Sequence, residues 1–106
     1  MTSEDFVKGF YLEKEKLLKI YFSPDPKTQV GLDINSLNPT KEQKAKLKSI
    51  LDGALTDMCY TILLGLDGEA QIGGIQEMYR LYDENGNELT DDEIEGYAWE
   101  YFHNQK

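Results

Sequence analysis

The chain has 106 residues, 40% of them hydrophobic and 29% charged, and carries a net charge of −9. That length fits one domain spanning residues 1–106, and the composition excludes a wholly disordered chain. The single cysteine, Cys59, excludes an intramolecular disulfide and points to a reducing, cytoplasmic setting.

The opening Met1-Thr2-Ser3-Glu4-Asp5 has neither the basic region nor the apolar stretch of a secretory leader. No unbroken apolar run approaches the roughly 20 residues of a membrane span, so no membrane association is expected. Charge is distributed unevenly. Residues 1–48 hold nine lysines and seven acids, whereas residues 49–106 hold only Arg80 and Lys106 against thirteen acids. An acidic field of this kind opposes nucleic-acid phosphates and anionic lipids, and favours a basic protein surface.

In chain order, the first helix is predicted from Glu4 to Tyr21. Thr2 or Ser3 caps it, Phe6, Phe10, Leu17, Leu18 and Tyr21 form its apolar side, and Glu13-Lys14-Glu15-Lys16 forms the solvated face. Ser23-Pro24-Asp25-Pro26 stops it, because each proline biases its predecessor out of helical geometry. Residues 23–38 read as a connection. Within it Val30, Leu32 and Ile34 alternate with Gly31 and Asp33, as in a short strand or extended segment.

The next helix opens at Thr40, with Gln43 at the capping-box spacing. Leu47, Ile50, Leu51, Ala54, Leu55, Met58 and Ile62 then recur at three and four residues. Lys41, Lys44, Lys46 and Lys48 crowd the end that the helix dipole disfavours for cations. Gly53 marks a possible bend or break, and Gly65 or Gly68 a stop. The loop 65–74, with four glycines, lacks the Lys-Ser/Thr of a phosphate-binding loop and reads as a connector.

Met78, Arg80 and Tyr82 alternate with Tyr79 and Leu81 before Asn85-Gly86, the signature of a type I′ β-hairpin. The last helix is predicted to open at Thr90, with Glu93 completing a capping box. Ile94, Tyr97, Ala98 and Tyr101 form its inward stripe, with Trp99 and Phe102 off it. The predicted fold class is therefore α+β: two or three N-terminal helical segments, a β-hairpin and a C-terminal helix.

The candidate sites follow from charge rather than from a catalytic motif. Asp83, Glu84, Glu88, Asp91, Asp92, Glu93 and Glu95, together with Glu100, crowd one segment beside Trp99, Tyr97, Tyr101 and Phe102. Aromatic anchors in an acidic rim suit a partner rich in Arg and Lys. The expected site is thus a partner-binding surface of Asp83, Glu84, Glu88, Asp91, Asp92, Glu93, Glu95 and Trp99, with no catalytic residue, metal or cofactor.

A first alternative is a calcium-responsive loop at 83–93, preceded by an EF-type incoming helix at Tyr79–Tyr82. Counting Asp83 as its first position puts Glu88 where glycine is needed and Ile94 where the closing carboxylate is needed. A second alternative is a small enzyme using Asp52, Asp57 or Asp67 as acid or base. Cys59 reads as a small core residue and His103 as an exposed residue of the last turn.

The segments Asp52-Gly53-Ala54-Leu55-Thr56-Asp57 and Tyr82-Asp83-Glu84-Asn85-Gly86-Asn87-Glu88-Leu89 resemble small bacterial proteins of the polymorphic-toxin immunity type. The likeness is of general character over residues 40–103 and carries no site residue with it. It implies a non-catalytic inhibitor that blocks a basic toxin, often a nuclease, by presenting acids where substrate phosphates would lie.

Overall fold

A computed structural model describes residues 1–104. Helix α1 spans Ser3–Tyr21 and begins as its cap predicts. The Thr2 hydroxyl accepts from the Asp5 amide at 3.1 Å, and the Asp5 carboxylate accepts from the Thr2 amide at 3.2 Å. Two of the amides left unpaired at a helix start are thereby satisfied.

The segment predicted as extended is instead a second helix, α2 (Gln29–Ser36). The Thr28 hydroxyl accepts from the Gly31 amide at 3.0 Å and starts it. Ile34 is buried while Val30 and Leu32 face solvent, so the apparent two-residue alternation is not a buried face. Gly31 makes the close approach possible: a Cβ there would lie 2.8 Å from Pro26 Cβ and 3.2 Å from the Tyr21 carbonyl oxygen.

Helix α3 spans Lys41–Leu66. Its capping box is complete, with Thr40 and Gln43 exchanging hydrogen bonds at 3.1 and 2.9 Å. It does not break at Gly53. On either side of that glycine, Asp52 and Thr56 are both bonded to Lys14 of α1, which holds the turn in place. The helix ends at Asp67, and Gly68 follows at φ +78°, the left-handed geometry that terminates helices.

Only 11% of the most apolar 18-residue window of α3 is buried. Contrary to the expectation drawn from unbroken runs, α3 is long and apolar enough to cross a membrane by length and composition. Helical spacing lets interspersed polar residues interrupt the run without removing the apolar face.

Residues 67–93 form an irregular connection, and the predicted α+β class is wrong. Among the described residues there is no β-strand, sheet or hairpin, only isolated bridges such as Tyr82 to Glu88. The turn at Asp83–Gly86 does form, closed by the Gly86 amide on the Asp83 carbonyl at 3.1 Å. Gly86 takes a positive φ of +83°, but Asn85 does not have one, so the type I′ geometry that carries strand pairing is missing. The Asp83 side chain organises the turn instead, accepting from the Asn85 and Asn87 amides at 2.9 Å each.

Helix α4 spans Ile94–Phe102, with its N-cap at Glu93, three residues later than predicted, and it has no side-chain cap of its own. Thr90 is diverted from capping. Its hydroxyl accepts from the Leu81 amide at 3.0 Å and donates to Glu88 at 3.1 Å. Asp67 at the end of α3 supplies the cap, its Oδ2 accepting from the Glu95 amide at 3.1 Å.

The core lies where α4 meets the N-terminal half of α1 and the C-terminal half of α3. Val7, Leu63, Ile94, Ala98 and Phe102 form it. Phe102 belongs to the buried stripe, contrary to prediction, while Trp99 is exposed. The rest of α3 projects beyond this core, giving principal extents of 46 × 29 × 26 Å and a radius of gyration of 16.2 Å. A chain of this length packed as a sphere would have about 13 Å.

Candidate partner-binding surface

Helix α4 gathers carboxylates from segments far apart in sequence. On the side facing α1, the Tyr101 hydroxyl donates to Glu4 at 2.9 Å. That bond, followed by burial and the charges of Glu4, Glu100 and Asp5, raises the Tyr101 phenol above its usual range. Glu93, then burial, Glu4, Asp91 and Glu100, do the same to Tyr97. On the side facing α3, the charge of Glu95 is the main cause of a raised Glu69 carboxyl, with burial, Asp67 and Asp92 adding to it. These shifts are what packed like charges produce.

The eight predicted surface residues divide in two. Asp91, Asp92, Glu93 and Glu95 are exposed and have no salt bridge among the described residues. Asp91 accepts from the Ser3 hydroxyl at 2.7 Å, which ties the connection to α1. Trp99 stands beside them, 54% exposed, stacked on the His103 ring at 5.2 Å while that ring meets Tyr60 edge-on at 4.4 Å.

Asp83 and Glu88 serve structure instead. Asp83 binds the N-terminal ammonium at 3.2 Å, and Glu88 pairs with Arg80 at 3.2 Å. Glu84 is an exposed turn residue. Glu4, Asp5 and Glu69, which join the acidic face, were not selected from sequence. Nothing in local spacing brings them to α4.

Hydrogen bonds from the Asn87 side chain and amide, then the N-terminal ammonium and the Asn85 amide, outweigh burial and hold Asp83 well below the usual carboxylate range. Because the folded value lies below the unfolded one, this stabilisation is complete above the unfolded value, about 3.9. It is lost as pH falls through the folded value. The difference in thermal midpoint between the natural chain and Asp83→Ala should therefore be constant from neutral pH down to about 5 and shrink below about 4. Melting curves across that range measure it.

Lys14 was predicted on a solvated face and is 6% exposed. Its ammonium donates to Asp52 at 2.8 Å and Thr56 at 3.3 Å and lies 5.1 Å from the Tyr11 ring centroid. Burial alone would lower its pKa, but Asp52 and Glu15 outweigh burial and raise it. It therefore stays protonated and serves as a bolt between α1 and α3 rather than as a nucleophile. The signal was present: Val7, Tyr11, Lys14 and Leu18 are spaced by four, three and four residues, an inward stripe with a lysine in it.

Neither alternative site assembles. Residues 75–82 form no helix, so the incoming EF element is missing. Asp83 spends its oxygens on hydrogen bonds, and no group of three His, Cys, Asp or Glu side chains among the described residues could hold a metal. Asp52 is bonded to Lys14, Asp57 is exposed, and Asp67 sits buried at the far end of α3. The Cys59 thiol is half-buried against the core, and burial raises its pKa despite the charge of Lys14, the opposite of an activated nucleophile. Compared with known protein families, with curated proteins and with solved structures, the chain matches none.

Proposed function

We propose that this protein is a non-catalytic binding protein whose acidic face around α4 docks on a basic protein. The observation that carries this is the convergence of Glu4, Asp5, Glu69, Asp91, Asp92, Glu93, Glu95 and Glu100 around one short helix, with no ion pair to any of them among the described residues. Like charges held this close cost stability through repulsion, a cost that a cationic partner would reverse. Trp99 on the α3 side of α4, and Tyr97 and Tyr101 on its α1 side, supply amphipathic contact area beside the carboxylates. The resemblance to immunity proteins fits this reading and gives the partner a character: a basic toxin whose anion-binding surface the acids would cover.

The test is calorimetric titration of the protein with an arginine- and lysine-rich peptide across a salt series. Binding should weaken steeply as salt rises, because exposed charges are screened over about a Debye length, roughly 10 Å at 0.1 M. The double reversal Glu93→Lys/Glu100→Lys should abolish it, while Glu13→Lys, midway along α1 and paired with Lys16, should not. Binding indifferent to salt, or equally weakened by Glu13→Lys, would refute the reading. Co-purification with the product of an adjacent gene would then identify the partner.

A further inference from the structure

Between the two isolated bridges, the chain runs from Ile75 to Tyr82 without a turn or bend, and residues 76–80 are all exposed. Its hydrogen bonds fix which way each residue faces. The Ile75 amide and carbonyl both pair with Ile72. The Leu81 amide donates to the Thr90 hydroxyl, and the Leu81 carbonyl accepts from the Leu89 amide. Both residues therefore direct their backbone groups toward the protein. Glu77 shares their phase, with its carbonyl oxygen 3.6 Å from where a Cβ on Gly68 would stand. Backbone groups of an extended chain alternate with a period of two. Those of Gln76, Met78, Arg80 and Tyr82 therefore face away from the protein, and none has a partner among the described residues. The result is an open strand edge about 20 Å long. Only another extended chain satisfies such an edge in register, and the described residues offer none on that side.

Charge selects the occupant. Arg80 is neutralised by Glu88 at 3.2 Å. Glu77 within the edge and Glu84 just past it are exposed, with no ion pair among the described residues. The start of the edge rests on Gly68: the Gln76 side chain donates to the Gly68 carbonyl at 2.8 Å, and the Met78 sulfur lies against Gly68. The next residue, Glu69, is the one pressed by Glu95, Asp67 and Asp92. The edge is thus continuous with the carboxylates on the α3 side of α4. A second copy, itself at −9, is repelled by this field, whereas a strand bearing Lys or Arg is attracted.

We propose that the basic partner docks by adding an extended segment, with lysine or arginine side chains, as a strand along the edge from Gln76 to Tyr82. This rests on the reading of the acidic face as a protein-binding surface. Main-chain bonds to Met78, Arg80 and their outward neighbours hold the added strand, and its alternate side chains meet Glu77 and Glu69. The exposed Met78, Tyr79 and Tyr82 add apolar contact to it.

The probe is a short, end-blocked peptide of alternating lysine and valine. Amide hydrogen exchange of the full chain with saturating peptide should slow about tenfold or more at Met78, Arg80 and Tyr82, and change little at Glu77 and Tyr79. The same peptide N-methylated at every backbone nitrogen keeps its charge and should bind at least about tenfold more weakly. Met78→Pro removes an outward amide and should weaken binding about tenfold or more at an unchanged thermal midpoint. Tyr79→Pro, which removes an inward amide, should cost far less. Equal binding of the two peptides, protection without alternation, or full binding by Met78→Pro would overturn strand addition and leave the acidic-surface reading in place. Binding by neither peptide would overturn both. Protection of the same amides in the chain alone, growing with its concentration, would assign the edge to a second copy instead.

Discussion

Ile94→Ala is expected to destabilise the protein by about 2–5 kcal/mol, the usual cost of truncating a fully buried aliphatic side chain and leaving a partly collapsed cavity. Ile94 is 0% exposed and belongs to the cluster of Val7, Leu63, Ala98 and Phe102. A domain of this kind has about 5–15 kcal/mol in all, so the loss takes up much of the margin. The effect should concentrate on α4. Nine residues are too few to hold a helix in water unaided, since isolated helices shorter than about 12–15 residues are marginal. Docking through Ile94, Ala98 and Phe102 is what orders it. Chemical denaturation followed by Trp99 fluorescence would show the shift, because Trp99 stacks on His103 only while the helix is formed. Leu12→Ala, at a position 54% exposed, should change stability by no more than about 0.5 kcal/mol.

Asp67→Ala should cost about 1–3 kcal/mol, the penalty for leaving a buried hydrogen-bonding group unsatisfied. Asp67 is 3% exposed and accepts from the Glu95 amide, whereas the residue before α4, Glu93, makes no cap bond. The α4 start therefore depends on a carboxylate delivered from the end of α3, and the negative charge suits the positive end of the α4 dipole. Asp67→Asn should lose less than half as much, because its carbonyl oxygen can still accept from the same amide. Thermal melts of the two variants side by side separate the hydrogen bond from the charge. Equal losses would mean that charge, not the bond, fixes the helix start. The second carboxylate oxygen, Oδ1, is buried without a partner, which sets Asp67 apart from the solvated acids around it.

The acidic face and the exposed half of α3 are separate features of one elongated molecule. The first is assembled by the core, because α4 docks between the start of α1 and the end of α3. The second exists because α3 continues well past that core. At 26 residues it is about 39 Å long, and α4 covers only its final turns.

Local chemistry determined the helix starts. Thr2 with Asp5 and Thr40 with Gln43 sit three residues apart, and each pair closes its own hydrogen bonds without outside help. The proline pair after Tyr21 and the glycine after Asp67 ended their helices for equally local reasons, and the charge imbalance between the two halves was legible by counting. The alternation at 30–34 and at 78–82 misled, because a strand needs a run of paired residues: 30–34 meets no partner edge, and 78–82 pairs only at the isolated bridge of Tyr82 with Glu88. Thr28 turned the first into a helix, and the Asp83 side chain folded the second back with Asn85 outside positive φ.

What tertiary structure alone decided was partnership. Thr90 and Glu93 have the spacing of a cap, yet Thr90 is taken up by Leu81 and Glu88, and Asp67 caps α4 from 28 residues away in sequence. Glu4 and Glu69 joined the acidic face, and Lys14 left the solvent for Asp52, because packing three helices brings together residues that no spacing rule relates. A capping box closes within three residues and can be read along the chain. A contact across the fold depends on which faces pack, and that follows from burying the most apolar area from the whole chain at once.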